Sequence, residues 1–412
     1  MFRGFISRQS QVVSSLPTAI FRITYAAVLL ADLIDMWRWR RVYFEDWAVW
    51  LVPIWAVAVV MLGVGLWSRW AALLNFGLGV IVLYAIRPFT YHADVVVLTV
   101  NFLLLFVPLS GRLSVEAWRG TARDGVVRFA PNLILFIGVG LFYFDSVLWK
   151  LGSETWRSGL GVWRPAAMPQ LTSLNLGPIL DNHPLVLVLG YGVLAFEGLF
   201  LILMWIRPLR PWLLAAGCAL HLGIGIVFRI PLFGLFFVAL MMLLLPDREL
   251  GRQAEVSPLL VLAGGLTVIQ AVSVLQVPWL GVPLSALDRA KSFTTATAPL
   301  IGIQPHPLFL DQHLYDLPFQ RVEEDGRLIP FSQPDGTPGP WLMGRRYGLW
   351  LWAGPISTGV ADRLIDRFLG PGHQWVYSTA HVETPPAWVA GYRQSIYPLT
   401  WIAQSRDDSV ND

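Results

Sequence analysis

Charge is scarce in this chain. Asp, Glu, Lys and Arg make up 14% of its 412 residues, while 55% are hydrophobic. That leaves too little polar surface for a soluble fold. Lysine is scarcer still, because all 30 basic residues except Lys150 and Lys291 are arginine. The single cysteine, Cys218, excludes an intrachain disulfide, so the polar domain relies on ordinary packing wherever it sits. There is no Gly-rich phosphate loop, HExxH, GxSxG elbow or Cys/His cluster at metal-ligand spacing, and no metal is expected. The formal net charge of +3 comes from scattered arginines. No basic tract of the kind that binds nucleic acid is present. The opening residues, MFRGFISRQSQVVSSLP, lack a short apolar core with a small-residue cleavage site. The first span is therefore expected to act as its own insertion signal.

Long apolar runs dominate the remainder. A crossing needs about 20 apolar residues at 1.5 Å each to match a hydrocarbon core of roughly 30 Å. Nine spans are expected, at 17–36, 48–67, 69–86, 93–110, 131–149, 184–206, 212–228, 230–246 and 257–277. The stretch from Pro211 to Pro246 is too long for one helix and is split at Phe228-Arg229-Ile230-Pro231, which reads as a tight turn. With the N-terminus inside, eleven basic residues face the cytoplasm against eight on the other side. The cluster Arg112, Arg119, Arg123 and Arg128 decides this orientation. The C-terminal residues are then expected outside the cytoplasm.

Residues 150–183 are too polar to span, yet carry Trp156 and Trp163 with Gly152, Gly159 and Gly161. They read as an interfacial or re-entrant segment covering the bundle. Residues 290–412 read as α+β. In QRVEEDGRLIPF, Asp325-Gly326 predicts the turn of a hairpin. STGVADRLIDRFL, at 357–369, has the spacing of an amphipathic helix, and SQPDGTPGP reads as loop. The fold class expected is an all-α polytopic membrane bundle of about nine spans over 1–280. A small extracytoplasmic α+β domain over 281–412 follows it.

Ionisable groups at membrane depth are costly and point to function. Lys150 ends the fifth span in YFDSVLWKLGSETW. A lysine there commonly snorkels, but this chain uses arginine for that purpose almost everywhere. Arginine keeps its proton, whereas a desolvated lysine can release one, so Lys150 is the candidate base. Asp145, five residues earlier and off to one side, is a candidate counter-ion. His92 opens the fourth span, and span parity brings it to the same face as Lys150. His221 lies within the seventh span among apolar residues, where a neutral histidine bonded to a neighbouring helix is the plain reading. Glu197, deep in the sixth span, must be protonated or paired, and Arg22 of the first span is its expected structural partner.

Four stretches, in order, resemble the vitamin K-dependent gamma-carboxylases and the bacterial proteins that share their horizontally transferred transmembrane (HTTM) domain. They are AIFRITYAAVLLADLID, YHADVVVLTVNFLLLFVPLSGRLSVEAW, YFDSVLWKLGSETWRSG and HLGIGIVFRIPLFGLFFVALMMLLLP. The spacing of Tyr143, Lys150, Gly152, Trp156 and Gly159 is the most specific part, and the likeness covers roughly residues 15–250. The resemblance implies a multi-pass protein of a bacterial inner membrane. It implies that Lys150 deprotonates a reduced, vitamin K-like quinone, with oxygenation coupled to carboxylation of an acceptor. It further implies that His92 steadies the quinone oxyanion, that His221 shares the pocket, and that Tyr143 and Trp156 border the quinone. The tail from 278 to 412 is shorter than the region with which animal members dock a propeptide, so a protein acceptor is left open. The other reading is a non-enzymatic membrane protein that binds or moves a quinone or lipid.

Overall fold

The computed structural model describes residues 2–44, 47–172, 174–228, 230–274, 288–302, 319–329, 333–337, 339, 365, 366, 369, 370 and 373–404. It is mostly helical. The long helices are α1 (Leu16–Arg38), α2 (Leu51–Val64), α3 (Ser68–Ala85), α4 (His92–Leu104) and α5 (Phe129–Gly152). They continue as α6 (His183–Leu203), α7 (Arg210–Val227), α8 (Pro231–Met241), α9 (Pro258–Val274) and α10 (Asp288–Ile301). Among the described residues, five helical stretches are long and apolar enough to cross a membrane: Trp47–Val64, Ser68–Ala85, Phe129–Gly152, His183–Leu203 and Arg207–Val227. Exposed Ile54, Val57 and Val60 on α2, and Val188, Leu199 and Ile202 on α6, give these helices an apolar outer surface. A membrane, not water, suits such a surface. The chain is an integral membrane protein on these grounds.

Each of the nine expected spans falls on a helix, but not each helix is a full span. His92–Leu104, Pro231–Leu244 and Pro258–Ala271 are apolar but shorter. α4 stops early because Pro108 cannot continue its hydrogen bonding. α1 has 23 residues but carries Arg22, Asp32 and Asp35. The expected turn near Phe228 is present: α7 ends at Val227 and α8 begins at Pro231. The two pack tightly because Gly234 has no side chain; a Cβ there would stand 2.3 Å from the His221 carbonyl oxygen.

Polar ties hold the first four helices. Tyr25 of α1 donates its hydroxyl to Asn101 Oδ1 of α4 at 2.8 Å. Asn75 of α3 donates to the same oxygen at 2.6 Å, and Trp55 Nε1 of α2 donates to Asn75 Oδ1 at 2.8 Å. Among apolar helices, such bonds fix partners that hydrophobicity alone does not choose.

One face of the bundle is closed by a three-stranded antiparallel sheet. β1 (Gln11–Val13) pairs with β2 (Val126–Val127) on one side and β3 (Glu249–Gln253) on the other. Four of the long helices separate β1 from β2 and four separate β2 from β3. The chain has thus returned to the same face both times.

The far end holds a four-stranded antiparallel sheet in the order β5-β4-β6-β7. Its strands are β4 (Phe319–Glu324), β5 (Arg327–Leu328), β6 (Trp375–Ala380) and β7 (Ile402–Gln404). Asp325 and Gly326 form the expected hairpin turn, with φ of 49° and 72°. Paired positive values are those of a turn whose twist matches the strands. The expected helix at 357–369 lies largely outside the described residues, as does the expected domain boundary near 280. α10 belongs with the helices: its Thr297 hydroxyl accepts from Gln270 of α9 at 3.3 Å.

Residues 150–183 differ from a lipid-facing segment. Trp156 and Trp163 are 2% and 1% exposed, buried in protein instead of lying at a lipid interface. The segment is the seat of the C-terminal sheet domain. Trp388 Nε1 donates to the Leu180 carbonyl at 2.9 Å, the Gly391 amide to Asp181 at 2.8 Å, and Arg393 to Thr172 at 2.7 Å. The close approach of Gly159 and Gly190 presses the segment onto α6.

Candidate functional site

α5 positions the first side chains. A π-helical stretch over Phe136–Leu141 interrupts it, a feature that often accompanies functional sites because it re-aims the next turns. Beyond it, Tyr143, Ser146 and Lys150 follow at helical spacing and are all buried. Helical side chains lean toward their own N-terminus. Lys150, near the C-terminal end of α5, therefore leans back into the bundle. Glu197 on α6, which runs the opposite way, leans up to meet it.

The two form a buried ion pair. Lys150 Nζ lies 2.6 Å from Glu197 Oε1 and 2.5 Å from Oε2. The ammonium also sits over the Trp156 ring, 4.6 Å from its centroid. Trp156 is placed by a short helix, Glu154–Arg157, capped by Ser153. Gly161 leaves room for the ring, since a Cβ there would stand 2.1 Å from it.

A second polar pair lies among the same helices. The Tyr143 hydroxyl and His221 Nε2 form a short hydrogen bond. Their rings lie nearly parallel at 4°, and His221 stacks on Phe237 of α8 with centroids 4.4 Å apart. The other imidazole nitrogen, Nδ1, is buried without a hydrogen-bond partner among the described residues.

Both pairs border one cavity of about 330 Å³ between α5, α6, α7, α8 and the 150–183 segment. Apart from Ser146, its walls are otherwise mainly apolar, with Phe142, Leu189, Ile224 and Phe233 among them. This volume is at the small end of ligand sites. The Lys150–Glu197 and Tyr143–His221 pairs and Ser146 are the polar groups set among these apolar walls.

Sequence reading placed Lys150, His221, Tyr143 and Trp156 at the site, and all four border this cavity. His92 does not. It opens α4 one turn before Val96, which does line the cavity, and stands beside the capping box that Tyr91 forms with Asp94.

Glu197 is the correction. Its expected partner, Arg22, instead donates to the Leu109 carbonyl, and to the Leu113 carbonyl at 2.5 Å. Asp145 was the candidate counter-ion of Lys150, but the contacting carboxylate is Glu197. Counting residues by depth separated Lys150 from Glu197; their opposed lean brings them together. The signal was present, since Glu197 is the one acidic residue in α6. No family model, curated protein or solved structure matches this chain.

Proposed function

We propose that the cavity binds a reduced quinone or a similar lipid-soluble phenol and that the Lys150–Glu197 pair removes its proton. The observation that carries this is the contact of Lys150 Nζ with both Glu197 oxygens inside an apolar cavity. The pair is neutral as a whole whichever partner holds the proton. Transfer from the ammonium to the carboxylate gives a neutral amine and a carboxylic acid. The amine then takes the phenolic proton, leaving a phenolate beside the ammonium. The net charge of the site is zero at every stage, which spares the desolvation cost of a lone buried ion. Trp156 attracts the cation and the stacked Tyr143–His221 pair offers a polar edge to the far side of the ring. His92 is given no step.

The resemblance to gamma-carboxylases extends the proposal: the quinolate is oxygenated and the reaction is coupled to carboxylation of an acceptor. It also fits nine passes, a cytoplasmic β1–β3 face, and a C-terminal domain outside the cytoplasm of a bacterial inner membrane. A reporter active only in the cytoplasm, fused after Asp412, is expected to be silent. Activity from that fusion would reverse the orientation.

The chemistry is tested by oxygen-dependent loss of a reduced naphthoquinone in nanodiscs. Lys150→Arg should lower turnover by about 10²–10⁴, the usual worth of general base catalysis, with quinone still bound. Full activity in that variant would sink the proposal. A quinone-binding protein without turnover is the second reading, favoured by how fully Glu197 already satisfies Lys150. It expects quinone binding with no consumption in the wild type.

A further inference from the structure

The β1–β3 face holds a second cavity, of about 340 Å³, with a different character. Arg8, Arg128, Arg207, Arg210, Trp205 and Ile206 line it, and each charged residue in the lining is an arginine. The carboxylates that answer them, Asp247 and Glu249, stand outside the lining. Arg128 contacts Asp247 at 3.3 Å and Glu249 at 2.8 Å. Arg207 contacts the same two at 2.5 and 2.8 Å, and Arg210 reaches Asp247 at 3.8 Å. Three guanidinium groups thus share two carboxylates, and Arg8 adds a fourth positive charge to the lining. Arg128 and Arg210 are 6% and 8% exposed, so part of this positive charge is held away from water, while Arg8 and Arg207 reach it. An anion entering the cavity would balance that charge.

The cavity's place in the bundle says which anion. It lies where α6 ends, α7 begins and α5 begins, at the boundary of the apolar surface. Trp205 and Ile206 follow the end of α6, and an indole at this level is typical of the membrane interface. Leu199 and Ile202, exposed on the adjoining part of α6, provide an apolar track away from the arginines. Guanidinium forks match phosphate oxygens in pairs. We propose that this cavity holds the phosphate of an anionic phospholipid, with its acyl chains along the outer surface of α6. The site is independent of the Lys150 chemistry.

The test is a native mass spectrometry titration of the purified full chain in neutral detergent. Phosphatidylglycerol, phosphatidylcholine and inorganic phosphate are the probes. Phosphatidylglycerol should bind more tightly than phosphatidylcholine. Arg8→Gln with Arg207→Gln should weaken it about thirtyfold, at about fivefold per basic residue near an anionic surface. Both side chains are exposed, so the buried Arg128 contacts are spared. If the double variant unfolds, Arg8→Gln alone carries the test with about a fivefold loss. Equal binding of the two lipids, or undiminished affinity in a folded variant, would overturn the proposal. Full displacement of the lipid by millimolar inorganic phosphate would mark a free-phosphate site and overturn the lipid assignment.

Discussion

At the β1–β3 face, Arg128, Arg207 and Arg210 share Asp247 and Glu249 at a rim where Arg207 and Glu249 side chains are 48% and 42% exposed. At the other end, Lys150 and Glu197 meet inside apolar walls at 5% and 9% exposure. Arg128 and Arg210 reach Asp247 at 7–10% side-chain exposure, but water screens the Arg207–Glu249 contact, which is worth little alone. The second pair has no such substitute. Arginine keeps its proton in either setting, while lysine next to glutamate can trade one. Solvent reaches Arg207 and Glu249 at one end and is kept from Lys150 and Glu197 at the other. Exclusion of water at the Lys150 end is what the proposed proton transfer from a lipid-soluble acid would require.

Removing one partner at each end is the strongest test of this contrast. Glu197→Leu should destabilise the protein by about 3–5 kcal/mol, because it strands a buried ammonium. Lys150→Met combined with Glu197→Leu should recover most of that loss, because the apolar pair needs no counter-charge. Arg207→Gln, at the exposed face, should cost no more than about 1 kcal/mol. Unfolding midpoints in detergent at matched conditions decide the matter. If Glu197→Leu is as mild as Arg207→Gln, the Lys150 end is as wet as the other and the contrast fails.

Glycines sharpen the same comparison with a smaller effect. Gly161→Ala drives a methyl group into the Trp156 ring and should cost about 1–3 kcal/mol, the usual range for overpacking. It should also reduce quinone retention by moving the ring off Lys150. Gly192→Ala on the outer side of α6 meets nothing within 4 Å. It should be neutral or stabilising by up to about 1 kcal/mol, from helix propensity alone. Equal midpoints for the two variants would mean that Trp156 is not held tightly over the lysine.

Much of this architecture was legible in the sequence because apolar length and turn chemistry are local signals. The apolar runs marked the helices, Phe228 to Pro231 marked the break between α7 and α8, and Asp325-Gly326 marked the hairpin. What was not legible depended on direction and depth in three dimensions. Arg22 and Glu197 looked like natural partners as two charges within apolar spans. Only the opposed lean of side chains on antiparallel α5 and α6 gives Glu197 to Lys150. The seat formed by residues 150–183 was hidden for a similar reason. Tryptophan and glycine in a polar segment read as interface, but Gly161 and Gly159 are there to admit Trp156 and α6. His92 shows the limit of parity, which assigns a residue to a face but not to a cavity.

Acid should loosen one end of the protein before the other, and this is the smallest effect expected. Burial tends to raise the Asp124 carboxyl, but bonds from the Ser15 amide, Ser15 hydroxyl and Ser14 hydroxyl outweigh it and hold it below the usual 3.8. The Ser15 amide and hydroxyl lie 2.9 and 2.7 Å from Asp124. Hydrogen bonding from the Arg128 guanidinium, followed by its charge and by Arg207, holds the Glu249 carboxyl below its usual 4.5. Both groups are depressed in the folded state, so their contribution is fully present above the ordinary carboxylate range. It fades as pH falls from that range through the lower folded values. These residues tie β1, the chain before β2, and β3 together. Amide exchange at Gln11–Val13 and Glu249–Gln253, corrected for its intrinsic pH dependence, should speed up as pH drops below about 4.5. Exchange over Phe142–Gly152 should stay flat across the same range, because the apolar wall of the cavity does not depend on these carboxylates. A parallel loss of protection at both ends would show that the two faces are coupled through the helices and are not separate electrostatic units.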